Sequence, residues 1–280
     1  MFFTEAEIDA LIQEDLPYID LTTEVLGIAG QMGKISFFTR EPAVVSGTEE
    51  AVRIFSRFAI TPDLIVPSGG EIQSGDVFLS GTGLSENLHS AWKICQNLLD
   101  RCAGIATKTA RLTRIVKSVN PHTEVFSTRK VSSGTKKLFI KSVMSGGGFP
   151  HRLGLSETVL VFRQHMNFMG GLDGLIERLP AIKSKVSEKK LIVEAETVAD
   201  AVRLVRAGAE GIQFDKLSAE EVADSVRQLR AVRPEVVILA AGGIDTHNAA
   251  NYAAAGVNAV VVTCLYNAPP VDVGVRIELL

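Results

Sequence analysis

Cysteine is scarce. The chain has three, none in a C-x-x-C pair and none near a histidine at ligand spacing, so neither a disulfide framework nor a zinc ribbon is encoded. Cys95 and Cys102, seven residues apart, fall on one face of a predicted helix and read as core packing. An excess of positive charge is also missing. With 29 Lys+Arg against 32 Asp+Glu the net charge is −3, which leaves no global field to hold a polyanion, and nucleic acid is not an expected partner. Long apolar runs are absent: VVILAA, AVVV and ETVLVF fall far short of the roughly 18 residues a membrane span needs. They read as buried strands despite a mean hydropathy of +0.21, and no membrane partner is expected. The start, MFFTEAEIDALIQEDL, carries acids rather than a basic leader, so a cytoplasmic location is the expectation. Neither a P-loop nor G-x-G-x-x-G occurs, which removes support for a nucleoside triphosphatase or a Rossmann dehydrogenase.

What is present is a chain of 280 residues, 46% apolar, enough for two packed domains. Residues 85–119 carry one long helical pattern through Leu88, Trp92, Cys95, Leu99, Cys102 and Ala106, with Gly104 as a possible break into two helices. Upstream, ISFFTR, AVVSG and a glycine-punctuated hairpin region, PSGGEIQSGDVFLSG, describe a mixed domain. Beyond Pro121, apolar strands are predicted near 124–127, 157–162, 191–195, 211–214, 236–240 and 259–263, alternating with helical stretches. TVADAVRLVRAGAEGIQF and HNAANYAAAGVNAVVV each run a helix into Ala-Gly and then a buried strand, with the glycine where a helix C-terminus needs positive φ. Such alternation predicts a parallel sheet buried on both faces. We divide the chain into an N-terminal domain, 1–107, and a second domain, 108–265; VDVGVRIELL, within a tail at 266–280, reads as a strand able to return to the first. The second domain, far short of the roughly 250 residues of a full eight-stranded barrel, fits about six strands.

In α/β folds ligands bind at the carboxyl ends of parallel strands. From Thr128 to Arg152 there are six cations (Arg129, Lys130, Lys136, Lys137, Lys141 and Arg152) and no acid. Arg129 and Lys130, at a strand end, read as ligands for an anionic small molecule; Lys136, Lys137 and Lys141 continue into a helix and read as a solvated face. SGGGFPHR then brings His151 beside Arg152, a hydrogen-bond donor next to a bidentate fork. Acids dominate residues 194–224, with Glu194, Glu196 and Asp215 at strand ends, suited to Mg²⁺ on a phosphate-bearing substrate or to sugar hydroxyls. Glu194 and Glu196 share one face of their strand, so spacing alone does not choose between them. Helix capping is the alternative for Asp215. VVILAAGGIDTHN runs a strand into Gly242 and Gly243, where backbone amides could cradle a phosphate, and Thr263 ends the last barrel strand.

Together, EDLPYIDLTTE, TREPAVVSG, NLLDRCAGIAT, TRKVSSG, SGGGFPHRLGL, VEAET, FDKLS and LAAGGI resemble, in order, the landmarks of the nicotinate-nucleotide pyrophosphorylases, or quinolinate phosphoribosyltransferases, especially the ModD branch associated with molybdenum-transport loci. The resemblance implies an N-terminal α/β sandwich plus an incomplete, about six-stranded α/β barrel, working as a homodimer with shared sites. It implies transfer of phosphoribosyl from 5-phosphoribosyl 1-diphosphate, with Mg²⁺, to a ring nitrogen of quinolinate or a related anionic heteroaromatic acid, releasing pyrophosphate. By motif position, Lys130, Glu194 and Asp215 serve the donor, with Glu194 and Asp215 reaching the metal indirectly through it. Arg129, His151 and Arg152 grip the acceptor, with Phe162 and Arg163 beside it, and Ala241, Gly242, Gly243 and Thr263 surround the 5′-phosphate. Lys93 stands for an arginine lent by the partner subunit, keeping the charge without the fork. In the run LVFRQH, Phe162 replaces a usual lysine, and Arg163, one residue along a strand, is expected on the other face. Ser127, Val131, Ser133, Lys216, Ala241 and Thr263 also depart from the family pattern. A second expectation follows from the lysine lost at Phe162: a noncatalytic protein binding molybdate or another oxyanion in the inherited cationic pocket.

Overall fold

The computed structural model describes residues 1–280. In chain order the elements are α1 (Glu5–Asp15), α2 (Leu21–Leu26), β1 (Met32–Thr39), β2 (Ala43–Val44), α3 (Thr48–Arg57), β3 (Thr61–Ile65), β4 (Glu71–Ile72), β5 (Val77–Leu84) and α4 (Ser85–Val119). There follow β6 (Glu124–Ser127), α5 (Lys136–Ser145), β7 (Phe149–Pro150), β8 (Val159–Val161), α6 (Arg163–Met166), α7 (Gly171–Lys185), β9 (Leu191–Ala195), α8 (Val198–Arg206), β10 (Gly211–Asp215), α9 (Ala219–Val232), β11 (Val237–Ala241), α10 (Ala249–Ala254), β12 (Ala259–Val262) and β13 (Val273–Leu279). The chain forms two compact units, one of Met1–Ala110, Ser132–Gly147 and Leu265–Leu280, the other of Arg111–Val131 and Gly148–Cys264. No helix is long and apolar enough to cross a membrane.

The first unit is built on an antiparallel sheet in the order β13-β1-β5-β3, so the terminal VGVRIEL closes against β1. Strand β1 alternates, with Ile35 and Phe37 buried and Lys34 and Ser36 partly exposed, the period of a sheet with one core face. Phe37, Phe55, Phe78 and Leu79 fill that core beside Leu88, Cys95, Leu99 and Cys102 of α4. Both helix cysteines are buried and free, and burial pushes the Cys102 thiol up to about 11. PSGGEIQSGDVFLSG is not a hairpin: β4 pairs with β2, while β5 pairs with β1 and β3. Nor does Gly104 break the long helix, which runs unbroken from Ser85 to Val119. A Cβ at Gly104 would lie 2.2 Å from the Pro269 carbonyl oxygen, so the missing side chain serves close approach.

The second unit is a curled sheet of seven strands, all pairs parallel, in the order β7-β6-β12-β11-β10-β9-β8. The edge strands β7 and β8 do not pair with each other, which leaves the barrel open. Six strands match the apolar runs; the seventh, β7, is two residues long and leaves no periodic signal. Gly208 and Gly256, after α8 and α10, have φ of 108° and 85°, the left-handed geometry the Ala-Gly repeats require. Register sets which side chains look inward: Glu194 lies opposite Gln213 and Gln213 opposite Leu239. One step toward the carboxyl ends, Asp215 lies opposite Ala241, and Ala241 opposite Val261.

Candidate active site

Because the seven strands are parallel, their carboxyl ends form one rim, and each ends in or just before a residue singled out above. Thr128, Arg129 and Lys130 follow β6; His151 and Arg152 follow β7; Phe162 and Arg163 follow β8. Glu194 and Asp215 close β9 and β10, Ala241 and Gly242 the end of β11, and Thr263 follows β12. The Thr128 and Thr263 hydroxyls lie 2.9 Å apart, linking the first and last of these strands in sequence.

The most connected group is inside the barrel mouth. His151 Nε2 lies 3.1 Å from Gln213 Oε1, and the Gln213 amide donates to Glu194 Oε2 at 3.1 Å. The imidazole of His151 stacks on Phe126, with centroids 6.0 Å apart and planes within 7°. Burial, reinforced by Arg152, holds the His151 imidazole below its ordinary pKa, against the hydrogen bond to Gln213. Glu194 is raised by burial first and then by the charges of Asp215 and Glu196, opposed by its bond from Gln213 and by Lys130. Lys130, Glu194 and Asp215 are therefore one electrostatic group.

Arg152 has φ of +69°, a left-handed conformation that costs a non-glycine residue about 1–3 kcal/mol and persists only where the surroundings impose it. Its Nε is buried without a hydrogen-bond partner. Burial, then the nearby Arg129 guanidinium, pull the group below the usual arginine range, with Glu157 opposing them. Two guanidiniums held against mutual repulsion make a ready anion site.

The β11 end is equally constrained. Gly242 has φ of +87°, and the Lys216 amide beside it donates to the Ala241 carbonyl at 2.8 Å. Lys216 itself has φ of +64°. Asn248 braces the loop, donating to the Gly243 carbonyl at 2.9 Å and accepting from the Asp245 amide at 2.9 Å. The Ala241 methyl belongs to the barrel core. Asp215 does not cap the next helix, whose N-cap is Ser218.

Three features of the site go beyond the sequence pattern. Strand β8 ends at Val161, so the alternation of faces does not extend to Arg163, which opens α6 and reaches back to Glu196 at 3.1 Å. Arg163, Glu194 and Glu196 line one cavity of about 290 Å³ with Asp200, Met166 and Leu172. Second, the basic interval is not one surface. Lys137 pairs with Glu7, while Lys141, largely buried, pairs with Glu49 and the buried Glu50, all within the first unit. Only Arg129, Lys130 and Arg152 of the six cations belong to the barrel unit. Third, two residues without a strong sequence signal join the site: Gln213, marked only by a lone amide in the apolar strand GIQFD, and His165. The Nδ1 of His165 accepts from the Phe162 amide at 3.0 Å, and its ring stacks on Phe162 at 5.8 Å. Phe162 packs on the barrel core with Phe126. Lys93 lies on α4 in the first unit, 4.9 Å from the Trp92 ring centroid and 3.0 Å from Gln96 Oε1.

A parallel half-barrel with cations, carboxylates and a glycine turn on its carboxyl rim defines an enzyme of the α/β-barrel class. Residues 20–103 and 105–276 match the N-terminal and C-terminal domain models of quinolinate phosphoribosyl transferase. The chain belongs to this family, whose members are pentosyltransferases. It is 33% identical over 281 residues, 99% of each chain, to a Pasteurella multocida protein named "Putative pyrophosphorylase ModD". To the nicotinate-nucleotide pyrophosphorylase, carboxylating, of Mycobacterium leprae it is 30% identical over 261 residues, 91% of this chain and 89% of that one. Among solved structures, NadC from Streptococcus pyogenes superposes with a TM-score of 0.90 at 23% identity, over 100% of this chain and 99% of the other, a likeness of fold.

Proposed function

We propose that this pentosyltransferase moves the phosphoribosyl group of 5-phosphoribosyl 1-diphosphate onto a ring nitrogen of an anionic heteroaromatic acid, quinolinate or a close analogue. The observation that carries the reading is the split of charge on one rim: a carboxylate pair beside Lys130 and a guanidinium pair beside His151. The bond from the anomeric carbon to the diphosphate oxygen breaks, the acceptor nitrogen's lone pair forms the new bond, and pyrophosphate leaves. No proton need be removed from a pyridine nitrogen.

Arg129 and Arg152 hold the acceptor's carboxylate, which satisfies the orphaned Arg152 Nε, with the His151 ring beside them. Glu194 and Asp215 face the ribose, where their charge favours the positive character that develops at the anomeric carbon, and Lys130 draws the leaving diphosphate. Gly242 and Gly243 take the 5′-phosphate, with Thr263 and Ala241 flanking it. No three His, Cys, Asp or Glu side chains gather as a metal cage. That fits Mg²⁺ arriving on the diphosphate, because the ion is usually held by one or two carboxylates plus phosphates and water. The ion would neutralise the departing diphosphate. Phe162 in place of a lysine argues for an acceptor other than quinolinate. We also propose a homodimer in which Lys93 of one subunit completes the acceptor site of its partner, and, from the ModD relatives, a link to molybdenum transport. Calorimetric titration with 5-phosphoribosyl 1-diphosphate and with Mg²⁺-pyrophosphate tests the donor site: micromolar binding of either supports it, and binding of neither overturns it.

A further inference from the structure

We propose that Gln213 is a positioning residue that fixes the tautomer of His151 and ties it to Glu194. The inference rests on the roles just given to those two residues, but the hydrogen-bond chain itself does not depend on them. Gln213 sits in β10, the middle strand between Glu194 on β9 and Leu239 on β11, and is 5% exposed. A buried amide in an apolar strand costs stability unless its polar atoms are satisfied. Here both ends are used, at 3.1 Å to His151 and 3.1 Å to Glu194.

The direction of the chain follows from what each group is able to do. An ionised Glu194 only accepts, so it fixes the NH₂ of Gln213 toward itself and the carbonyl oxygen toward His151. That oxygen only accepts, so His151 must carry a proton on Nε2. Nδ1 is then an unprotonated acceptor, able to take a hydrogen bond but not to give one to a carboxylate, while the Phe126 stack fixes the ring plane. The charged groups around the chain are Arg152 beside His151, Arg129 and Glu157 facing Arg152, and Asp215, Glu196 and Lys130 around Glu194. None of them replaces the amide, because only Gln213 touches both ends.

The test is the nitrogen-15 shift pattern of the His151 imidazole in the full-length protein at about pH 8, where a ring with a depressed pKa is neutral. The wild-type protein is expected to hold the Nε2–H tautomer. Predominant Nδ1–H overturns the proposal whether or not any variant folds. In Gln213→Met the tautomers should become mixed, and an unchanged pattern in the folded variant overturns it. Gln213→Glu keeps the acceptor for His151 but loses the donor to Glu194, so it should retain Nε2–H. With donor and a turned-over acceptor, Gln213→Met should lower kcat about 10- to 100-fold, as loss of an orienting partner does. Donor KM should move less than about threefold, and an unchanged kcat overturns the proposal. If no acceptor turns over, the enzymatic reading fails separately while the tautomer pattern still decides the role of Gln213.

Discussion

A Cβ added to Gly242 would lie 2.5 Å from Asp215 Oδ1 and 2.6 Å from Lys216 Cγ, so the glycine at the end of one strand sets where the carboxylate of the next one rests. Gly242→Ala would meet both this clash and a φ of +87°. We expect a loss of about 1–3 kcal/mol in stability and a donor Kd raised about tenfold or more, equivalent to roughly 1.4 kcal/mol. Thermal unfolding and calorimetry check the two effects. Gly243→Ala, with open space around it and φ of +71°, should cost only the backbone strain.

Phe162→Lys should favour dicarboxylates. The side chain sits at the barrel mouth against His165, so a lysine there gives up a ring stack and offers an ammonium to the acceptor. A charge-assisted hydrogen bond contributes about 1.5–3 kcal/mol, so affinity for quinolinate relative to nicotinate should rise about 10- to 150-fold. Acceptor Kd values for wild type and variant measure the ratio.

Glu49 makes the first unit sensitive to acid. Burial opposes its ionisation, but hydrogen bonds from Lys141 and from the Ser68 hydroxyl and amide outweigh this and bring the carboxyl to about 2, against 4.5 for a free glutamate. A depressed carboxylate contributes stability that is full above pH 4.5 and is lost as pH falls toward 2. Glu49→Gln should therefore be less stable than wild type at neutral pH and flatten the pH dependence over that window in urea unfolding.

Asp100 works in the opposite sense. Burial raises it from 3.8 to about 6, helped by Asp272 and opposed by the Val273 amide and by Lys93 and Arg40, and one carboxyl oxygen has no partner. A raised acid favours the folded state while protonated, so its contribution falls as pH rises from 3.8 to about 6. Asp100→Asn should gain up to about 1 kcal/mol over wild type above pH 7, after allowing for solvent screening, and show little gain near pH 4.

Much of this was legible because strands buried on both faces read as apolar runs, and the residues closing those runs became the rim. What failed had causes distant in sequence. Gly104 looked like a helix break because Pro269, whose carbonyl presses on it, is far along the chain. Lys141 looked solvated because its partners Glu49 and Glu50 precede it by about ninety residues. Arg163 pairs with Glu196, a partner on the far side of α7 and β9 in sequence that spacing does not reveal. Gln213 carries little signal in sequence because its partners lie on β9 and just after β7, neighbours that only the folded sheet supplies.

The most direct test of the central claim is pyrophosphate release from 5-phosphoribosyl 1-diphosphate, with Mg²⁺, across quinolinate, nicotinate and related heteroaromatic acids. The account predicts release that requires an acceptor and falls at least about 100-fold in Lys130→Ala. Tight binding of molybdate or another oxyanion, with no pyrophosphate released for any acceptor, would contradict it.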